Sequence, residues 1–189
     1  MLRYYLFVIL AGPFFVALIA LLAGGTGETL LTLTLCAYFV TAAAFIIDAI
    51  TAILVRKLAR GCATDPYARF YHVSKKEKKL HKALRVRKWR DKIPEMGGLL
   101  VGFQKKKLEK DTPEYLLFFL KETCYAELMH LISAILGFAI IFLLPLRFAL
   151  LVSLPVACVN FVLNMMPVLV QRYVRSHMIP IYERSKRKQ

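Results

Sequence analysis

The sequence predicts an all-α integral membrane protein, with four transmembrane helices and a basic, partly helical cytoplasmic segment between the second and the third. Three observations carry this. The 189 residues are 58% hydrophobic yet hold 27 Lys and Arg against 12 Asp and Glu. A soluble domain of this size cannot bury so much apolar surface, so a bilayer must solvate the excess. The apolar residues also gather into four runs near the ~20 residues a helix needs to cross a ~30 Å hydrocarbon core. Finally, almost all the positive charge falls on one side of the topology those runs define.

The first run covers about residues 2–23 and is broken only by Arg3. Ala20 to Ala23 offers the small residues of a signal-peptide cleavage site, but the apolar stretch is longer than a usual signal core and its basic leader is one arginine. It therefore reads as a retained span. The second run covers about 29–55, with Asp48 its single charge, the third about 128–146 and the fourth about 148–170. With both termini cytoplasmic, the exterior loops are residues 24–28 and the corner at 145–147. Of the 27 basic residues only Arg147 then lies outside; the other 26 sit at Arg3, in residues 56–121 and in the tail after Gln171. Such asymmetry is what positive-inside sorting produces, and it predicts a multi-pass protein of the cell membrane forming a single membrane domain. Cys36 and Cys158 fall in spans, Cys62 and Cys124 on the cytoplasmic side. No spacing among them suits a disulfide or a zinc site, so no metal is expected.

Residues 56–121 are the one stretch long enough for structure outside the bilayer. Asp65-Pro66 reads as a turn, and Ser74 with Glu77 three residues on is a capping-box pattern. The helix it starts is predicted from about Lys75 towards Trp89, ending before Pro94. Leu80, Leu84, Val86 and Trp89 alternate there with Lys76, Lys79, Lys82, Arg85, Arg87 and Lys88, a mixture suited to a helix in the interface with its cations among phosphates. Gly97-Gly98 breaks the chain, and Leu99 to Phe103 is a short apolar patch. Asp111 or Thr112 then caps a helix that continues through Glu122 and Glu127 into the third span.

Ionisable and amide side chains inside a span are functional candidates. At the entry to the third span, Glu127 and His130 stand three apart, nearly on one helical face, and Glu122 lies eight before His130. A carboxylate beside an imidazole fixes its tautomer and raises its basicity, as a general base acting on a hydroxyl requires. The same pair also serves as a purely structural contact, and a metal pair is the weaker option because further ligands are lacking. In the fourth span Asn160, Asn164, Gln171 and Arg175 step by four, seven and four, one stripe that Pro167 shares. It must face protein or a water-filled cavity, either as interhelical glue or as a site. Asp48 is expected to pair with His130 or with a basic residue near the membrane surface. The basic segment is attracted to anionic lipid. Functionally, it would grip a polyanionic cosubstrate: coenzyme A with its phosphates, or an acidic carrier protein. Nucleic acid is excluded for want of any recognition motif.

Three segments occur in order: Val86-Arg87-Lys88-Trp89-Arg90-Asp91-Lys92-Ile93-Pro94, Glu122-Thr123-Cys124-Tyr125-Ala126-Glu127-Leu128-Met129-His130, and Asn164-Met165-Met166-Pro167-Val168-Leu169-Val170-Gln171-Arg172-Tyr173. From about residue 86 to the C-terminus the chain resembles the glycosyl-diaponeurosporenoate acyltransferase family, small bacterial membrane enzymes associated with the last step of staphyloxanthin formation. It departs from the family pattern at Val174, where Asn tends to follow Q-R-Y, and in an Asn-to-Pro spacing one residue longer. The resemblance implies O-acyl transfer from a cytoplasmic thioester, acyl-CoA or acyl-carrier-protein, to a hydroxyl of a lipid or glycolipid. Nothing implies a bound cofactor or a particular oligomeric state. It gives His130 the role of base, oriented by Glu127 with Glu122 nearby. Asn164, Gln171, Arg172 and Arg175 would hold the oxyanion or the sugar. Arg85, Arg87, Lys88 and Lys92 would hold the donor's phosphates, with Trp89 anchoring their helix. The rival readings are a membrane adaptor or lipid-binding subunit, a phosphoalcohol transferase, disfavoured because aspartates stand only at 48, 65, 91 and 111, and a small transporter.

Overall fold

The computed structural model describes residues 2–23, 28–59, 61–93 and 112–188. Among them there is no strand. The helices are α1 (Leu2–Leu22), α2 (Leu30–Leu58), α3 (Lys75–Ala83), α4 (Val86–Trp89), α5 (Pro113–Leu136) and α6 (Leu154–Lys186). Short 3-10 turns stand at Gly61–Thr64, Arg69–Tyr71 and Arg90–Lys92, and a longer one, Gly137–Leu143, extends α5. A helical turn at Leu146–Phe148 with a π-helical stretch, Ala149–Ser153, leads into α6. Three helical stretches are long and apolar enough to cross a membrane: Leu30–Leu58, Pro113–Leu143 and Leu146–Lys186; a shorter apolar helix runs Phe7–Leu22. The protein is thus an all-helical membrane protein.

The chain forms two compact units, Met1–Leu54 with Met129–Met165, and Val55–Leu128 with Met166–Gln189. Alanines make up nearly half of the buried interior of the first: Ala17, Ala20, Ala37, Ala44 and Ala157, packed with Leu33, Val40, Ile140, Phe148, Val152 and Val156. Small side chains let apolar helices approach closely where burial alone gives no drive. The large ones, such as Phe7, Ile19, Leu31, Leu35, Ile46 and Phe142, point outward, as a lipid-facing surface requires. The Tyr38 hydroxyl donates to the Leu10 carbonyl, fastening α2 to α1. Arg147 pairs with Glu28 at 3.1 Å, so these two loop charges meet at one end of the unit.

In the second unit Leu116, Phe119 and Leu120 of α5 pack on Met178 of α6, with Val174, Ile179 and Tyr182 around them. That contact accounts for a departure from the sequence reading. The basic tail expected beyond the fourth span is instead helical to Lys186, through Pro167 and Pro180, because its apolar side has α5 to pack against. Ser74 caps α3 as its pattern predicts, accepting from the Glu77 amide at 3.1 Å. The single helix expected from Lys75 to Trp89 is broken, however. Arg85 adopts the left-handed conformation (φ 51°, ψ 39°), and α4 starts after it. The reversal buries Val86 completely while Leu80 and Leu84 stay exposed, and the Trp89 indole N–H closes the corner on the Leu84 carbonyl at 2.9 Å. Val86 therefore packs inside the unit rather than facing lipid. At the start of α5, Thr112 Oγ1 accepts from the Tyr115 amide at 3.4 Å, with Pro113 in the first helical position. The loop at residues 24–27, the stop at Pro94, the apolar patch at 99–103 and the cap at Asp111 lie outside the described residues.

Candidate functional site

The first unit brings four polar side chains together from three helices: Asp48 of α2, His130 of α5, and Asn160 and Asn164 of α6. His130 Nδ1 lies 2.9 Å from Asn164 Oδ1. The Asn164 amide nitrogen donates to Asp48 Oδ2 at 3.2 Å, and also to the Asn160 carbonyl at 3.1 Å and Oδ1 at 3.2 Å. Asn160 and Asn164 are one helical turn apart, which is why α6 can present both to the same spot. Neither partner expected for Asp48 is the observed one: Asn164 stands between it and His130. A carboxylate only accepts, so Asp48 fixes the orientation of the Asn164 amide, nitrogen towards Asp48 and oxygen towards the ring. His130 Nδ1 must then carry the hydrogen, and Nε2 is the basic nitrogen. Asp48 Oδ1 and Asn160 Nδ2 are buried with no hydrogen-bond partner among the described residues. Such orphans are rare in native interiors, and a water or a ligand is what would complete their bonding.

Two further features adjoin this cluster. Gly137 leaves the room that the Asn160 amide occupies, since a Cβ there would collide with it. Asn160 also lines an apolar slot with Val8, Gly12 and Val16 of α1, Thr41 and Phe45 of α2, and Leu163 of α6. A Cβ on Gly12 would meet only open space.

The second unit holds an ionic network of a different character. Glu127, 1% exposed, accepts from Arg172 Nη1 at 2.5 Å and pairs with Arg175 Nη1 at 2.6 Å. Arg172 also donates to both oxygens of Glu77 and to the carbonyls of Phe70 (3.2 Å) and His72 (3.0 Å). Arg175, fully buried, donates to Thr123 Oγ1 and to its carbonyl, both at 3.0 Å, and lies over the Tyr71 ring at 4.6 Å. The roles expected for Arg172 and Arg175, holding the oxyanion or the sugar, need free donors, and these guanidinium groups are committed to the protein. Glu127 likewise serves two arginines, and the partner of His130 Nδ1 is Asn164. Burial works to raise the Glu77 carboxyl, but the bonds and charge of Arg172 outweigh it and hold it below the usual range. Burial pushes the Tyr71 phenol up; its hydroxyl donates to the Ala63 carbonyl at 2.5 Å. Glu122 is held by Arg56 through two bonds of 2.9 and 3.0 Å, with Arg56 over the Tyr125 ring. Gln171 is buried, its Oε1 without a partner among the described residues.

Also in the second unit, a cleft of about 390 Å³ is lined by Lys78 and Lys82 of α3, Arg85, and Arg87 and Lys88 of α4. Tyr173, Ser176 and His177 of α6 and His81 of α3 complete its wall. Arg85, Arg87 and Lys88 thus converge as the sequence reading expected, and Trp89 braces their corner; Lys92 does not line the cleft. The contribution of α6 was missed because residues after Gln171 read as a tail. The one available signal was the four-residue spacing of Tyr173 and His177, which stacks them if the helix continues. Their ring centroids are 4.4 Å apart.

The sequence profile of glycosyl-4,4'-diaponeurosporenoate acyltransferases (CrtO) matches residues 67–184, well over half of the 189-residue chain. The match includes the cleft, the ionic network, His130, Asn160 and Asn164, and leaves out Asp48. No characterised protein and no solved structure matches the chain.

Proposed function

The chain belongs to the glycosyl-4,4'-diaponeurosporenoate acyltransferase family, and from that premise we propose that it is a membrane-embedded O-acyltransferase. It moves a fatty acyl group from a thioester on the cytoplasmic side to a hydroxyl of a lipid or glycolipid acceptor, with a glycosylated carotenoid-like terpenoid the acceptor class the family name indicates. The observation that carries this reading is the relay from Asp48 through Asn164 to His130.

In the proposed reaction His130 Nε2 takes the proton of the acceptor hydroxyl as its oxygen attacks the thioester carbonyl. A C–O bond forms and a tetrahedral oxyanion results. Its collapse breaks the C–S bond, and the proton passes from the imidazolium to the departing thiolate, giving ester and free thiol. Asn164 keeps the ring in register, and the Asp48 carboxylate balances the transient imidazolium charge. Both donors of Asn164 are engaged, so Asn160 Nδ2 is the candidate donor to the oxyanion. The apolar slot beside Asn160 suits a hydrocarbon chain entering sideways from the bilayer. A four-span topology is supported by the pairing of Glu28 with Arg147, which brings the two loops to one end of their unit, and cytoplasmic termini by the positive charge gathered away from those loops in the sequence.

The test is acyl transfer by purified protein in lipid nanodiscs, with labelled long-chain acyl thioester and a total membrane lipid extract. Wild type should move label to a lipid. His130→Ala should lose about 10²- to 10⁴-fold in kcat, the usual worth of a general base, and Asp48→Asn should fall about tenfold or more, with circular dichroism and melting unchanged. A His130→Ala protein that turns over normally would remove the base. Absence of transfer from both CoA and carrier-protein thioesters, with the protein folded, would favour a lipid-binding adaptor.

A further inference from the structure

We infer that the basic cleft of the second unit is a site for a phosphorylated nucleotide, which makes the acyl donor a coenzyme A thioester rather than a carrier-protein thioester. The inference rests on the acyltransferase reading for the fate of the donor, but the site itself is argued from its own geometry.

Charge comes first. Among the described residues Arg56, Arg90, Arg147, Arg172 and Arg175 each pair with a carboxylate. Lys78, Lys82, Arg85, Arg87 and Lys88 converge on one hollow without an ion pair to any described residue. Like charges gathered in a concavity raise its potential and favour a multiply charged anion over a single carboxylate or phosphodiester. Insertion topology explains why cations lie on this side of the membrane. It does not explain why they surround a cavity.

The backbone is the second observation. Arg85 is the only described non-glycine residue with positive φ, a conformation disfavoured for a side chain with a Cβ and commonly found at functional sites. Its reversal folds α4 back on α3, and cations from both helices then line the same opening. A continuous helix would have spread them along its length.

The aromatic wall narrows the ligand class. Tyr173 and His177 present rings tilted by 38° at 4.4 Å, and the His81 ring meets Tyr173 edge-on at 5.9 Å. His177 Nδ1 is 2.8 Å from the Tyr173 carbonyl, which fixes the ring. Arg90 lies over the Tyr173 ring at 5.5 Å, so the exposed ring of His177, held by Tyr173, offers the stacking face. Such a face among guanidinium and ammonium groups is the recognition chemistry of a base attached to phosphates. A volume near 390 Å³ falls within the ~300–1,000 Å³ of small-molecule sites. A folded carrier protein would instead dock over a broad face of roughly 800 Å² and bring one phosphodiester, needing neither hollow nor rings. An anionic lipid headgroup shares the phosphate chemistry but has no base to stack.

The experiment measures binding to the full chain in zwitterionic nanodiscs by calorimetry, with fluorescence of the single tryptophan, Trp89, as a second readout. The probes are coenzyme A, adenosine 3',5'-bisphosphate, 4'-phosphopantetheine and inorganic phosphate. Coenzyme A and the bisphosphate should compete for one site, with phosphopantetheine and phosphate at least about tenfold weaker. Arg87→Ala and Tyr173→Ala should each weaken the bisphosphate about tenfold; Lys79→Ala, on the exposed side of α3, should not. Equal affinity for the bisphosphate and inorganic phosphate would overturn the inference. So would its complete displacement when anionic lipid is added, which would assign the cleft to a headgroup. Transfer from a carrier-protein thioester without coenzyme A binding would overturn it while leaving the acyltransferase reading intact. Coenzyme A binding without transfer from either donor would support the site and sink that reading.

Discussion

Glu127 and His130 are three residues apart, yet they belong to polar clusters built on opposite principles. Around Glu127 two carboxylates and two guanidinium groups, Glu77 with Arg172 and Glu127 with Arg175, balance in charge, and backbone carbonyls and Thr123 take most of the remaining donors. Around His130 the groups are one imidazole, one carboxylate and two amides, and Asp48 Oδ1 and Asn160 Nδ2 are left over. Glu127 Oε2 also lacks a hydrogen bond among the described residues, but it lies 2.6 Å from Arg175 Nη1 in an ion pair. That network is therefore balanced in charge, and its guanidinium donors are spent on the protein. The leftover groups around His130 stand in no ion pair among the described residues. The comparison separates Glu127, bound to two arginines, from His130, whose ring meets Asn164, although their spacing alone suggested a working pair. Guanidinium groups won Glu127 because their charge-assisted bonds are stronger than any an i, i+3 imidazole provides.

The sharpest way to break this division is Glu127→Ala. It leaves the buried Arg175 without its counter-charge, while Arg172 keeps Glu77, and should cost about 3–5 kcal/mol, read as lower yield and a large drop in melting temperature in detergent. The protein that does fold should keep its specific activity within a few-fold. An unchanged melting temperature with lost turnover would return Glu127 to the role of orienting His130 and dissolve the distinction.

What the sequence revealed follows the same divide. Patterns with a period or a local rule were legible: the apolar runs, the Ser74 cap, the Thr112 start of α5, and the polar stripe of Asn160, Asn164, Gln171 and Arg175 on one helix face. Features set by partners distant in the chain were not. Asp48 advertised itself as an intramembrane charge, but nothing local names Asn164 as its partner, since the two are 116 residues apart. The break at Arg85 was hidden because arginine carries no preference for positive φ; the reversal is imposed by the burial of Val86 and the Trp89–Leu84 bond. The aromatic wall of the cleft was hidden because charge after Gln171 outweighed the apolar residues that α5 covers.

A smaller effect is expected from a change that touches neither cluster's own residues. Gly137→Ala puts a methyl group where the Asn160 amide lies. Because the end of a side chain can swing aside, stability should change little. Asn160 would move, however, and with it the support it gives Asn164. A fall of several-fold in kcat at near-constant melting temperature is the expected result, in line with the cost of loosening a supporting shell. An equal loss of stability and activity would mean that Asn160 only packs.

The smallest effect concerns the border between ionic structure and the cleft. His81 lies buried on the cleft wall, its Nε2 3.7 Å from Glu77 Oε1. Burial holds its pKa below the ordinary 6.5; Glu77 pulls it up, and Arg172 and His177 push it down again. The folded protein therefore keeps His81 neutral where the unfolded chain already binds a proton. The stability this contributes is complete above 6.5 and is lost as pH falls through the lowered value. Glu77 follows the same sign in a lower window, its contribution present above 4.5 and lost beneath it. Melting temperature should therefore decline between about pH 6.5 and 4.5 in the wild type and stay nearly flat there in His81→Phe, which preserves burial without the titration. The same slope in both proteins would show that another group titrates in that window and that the cleft wall is not pH-sensitive through His81.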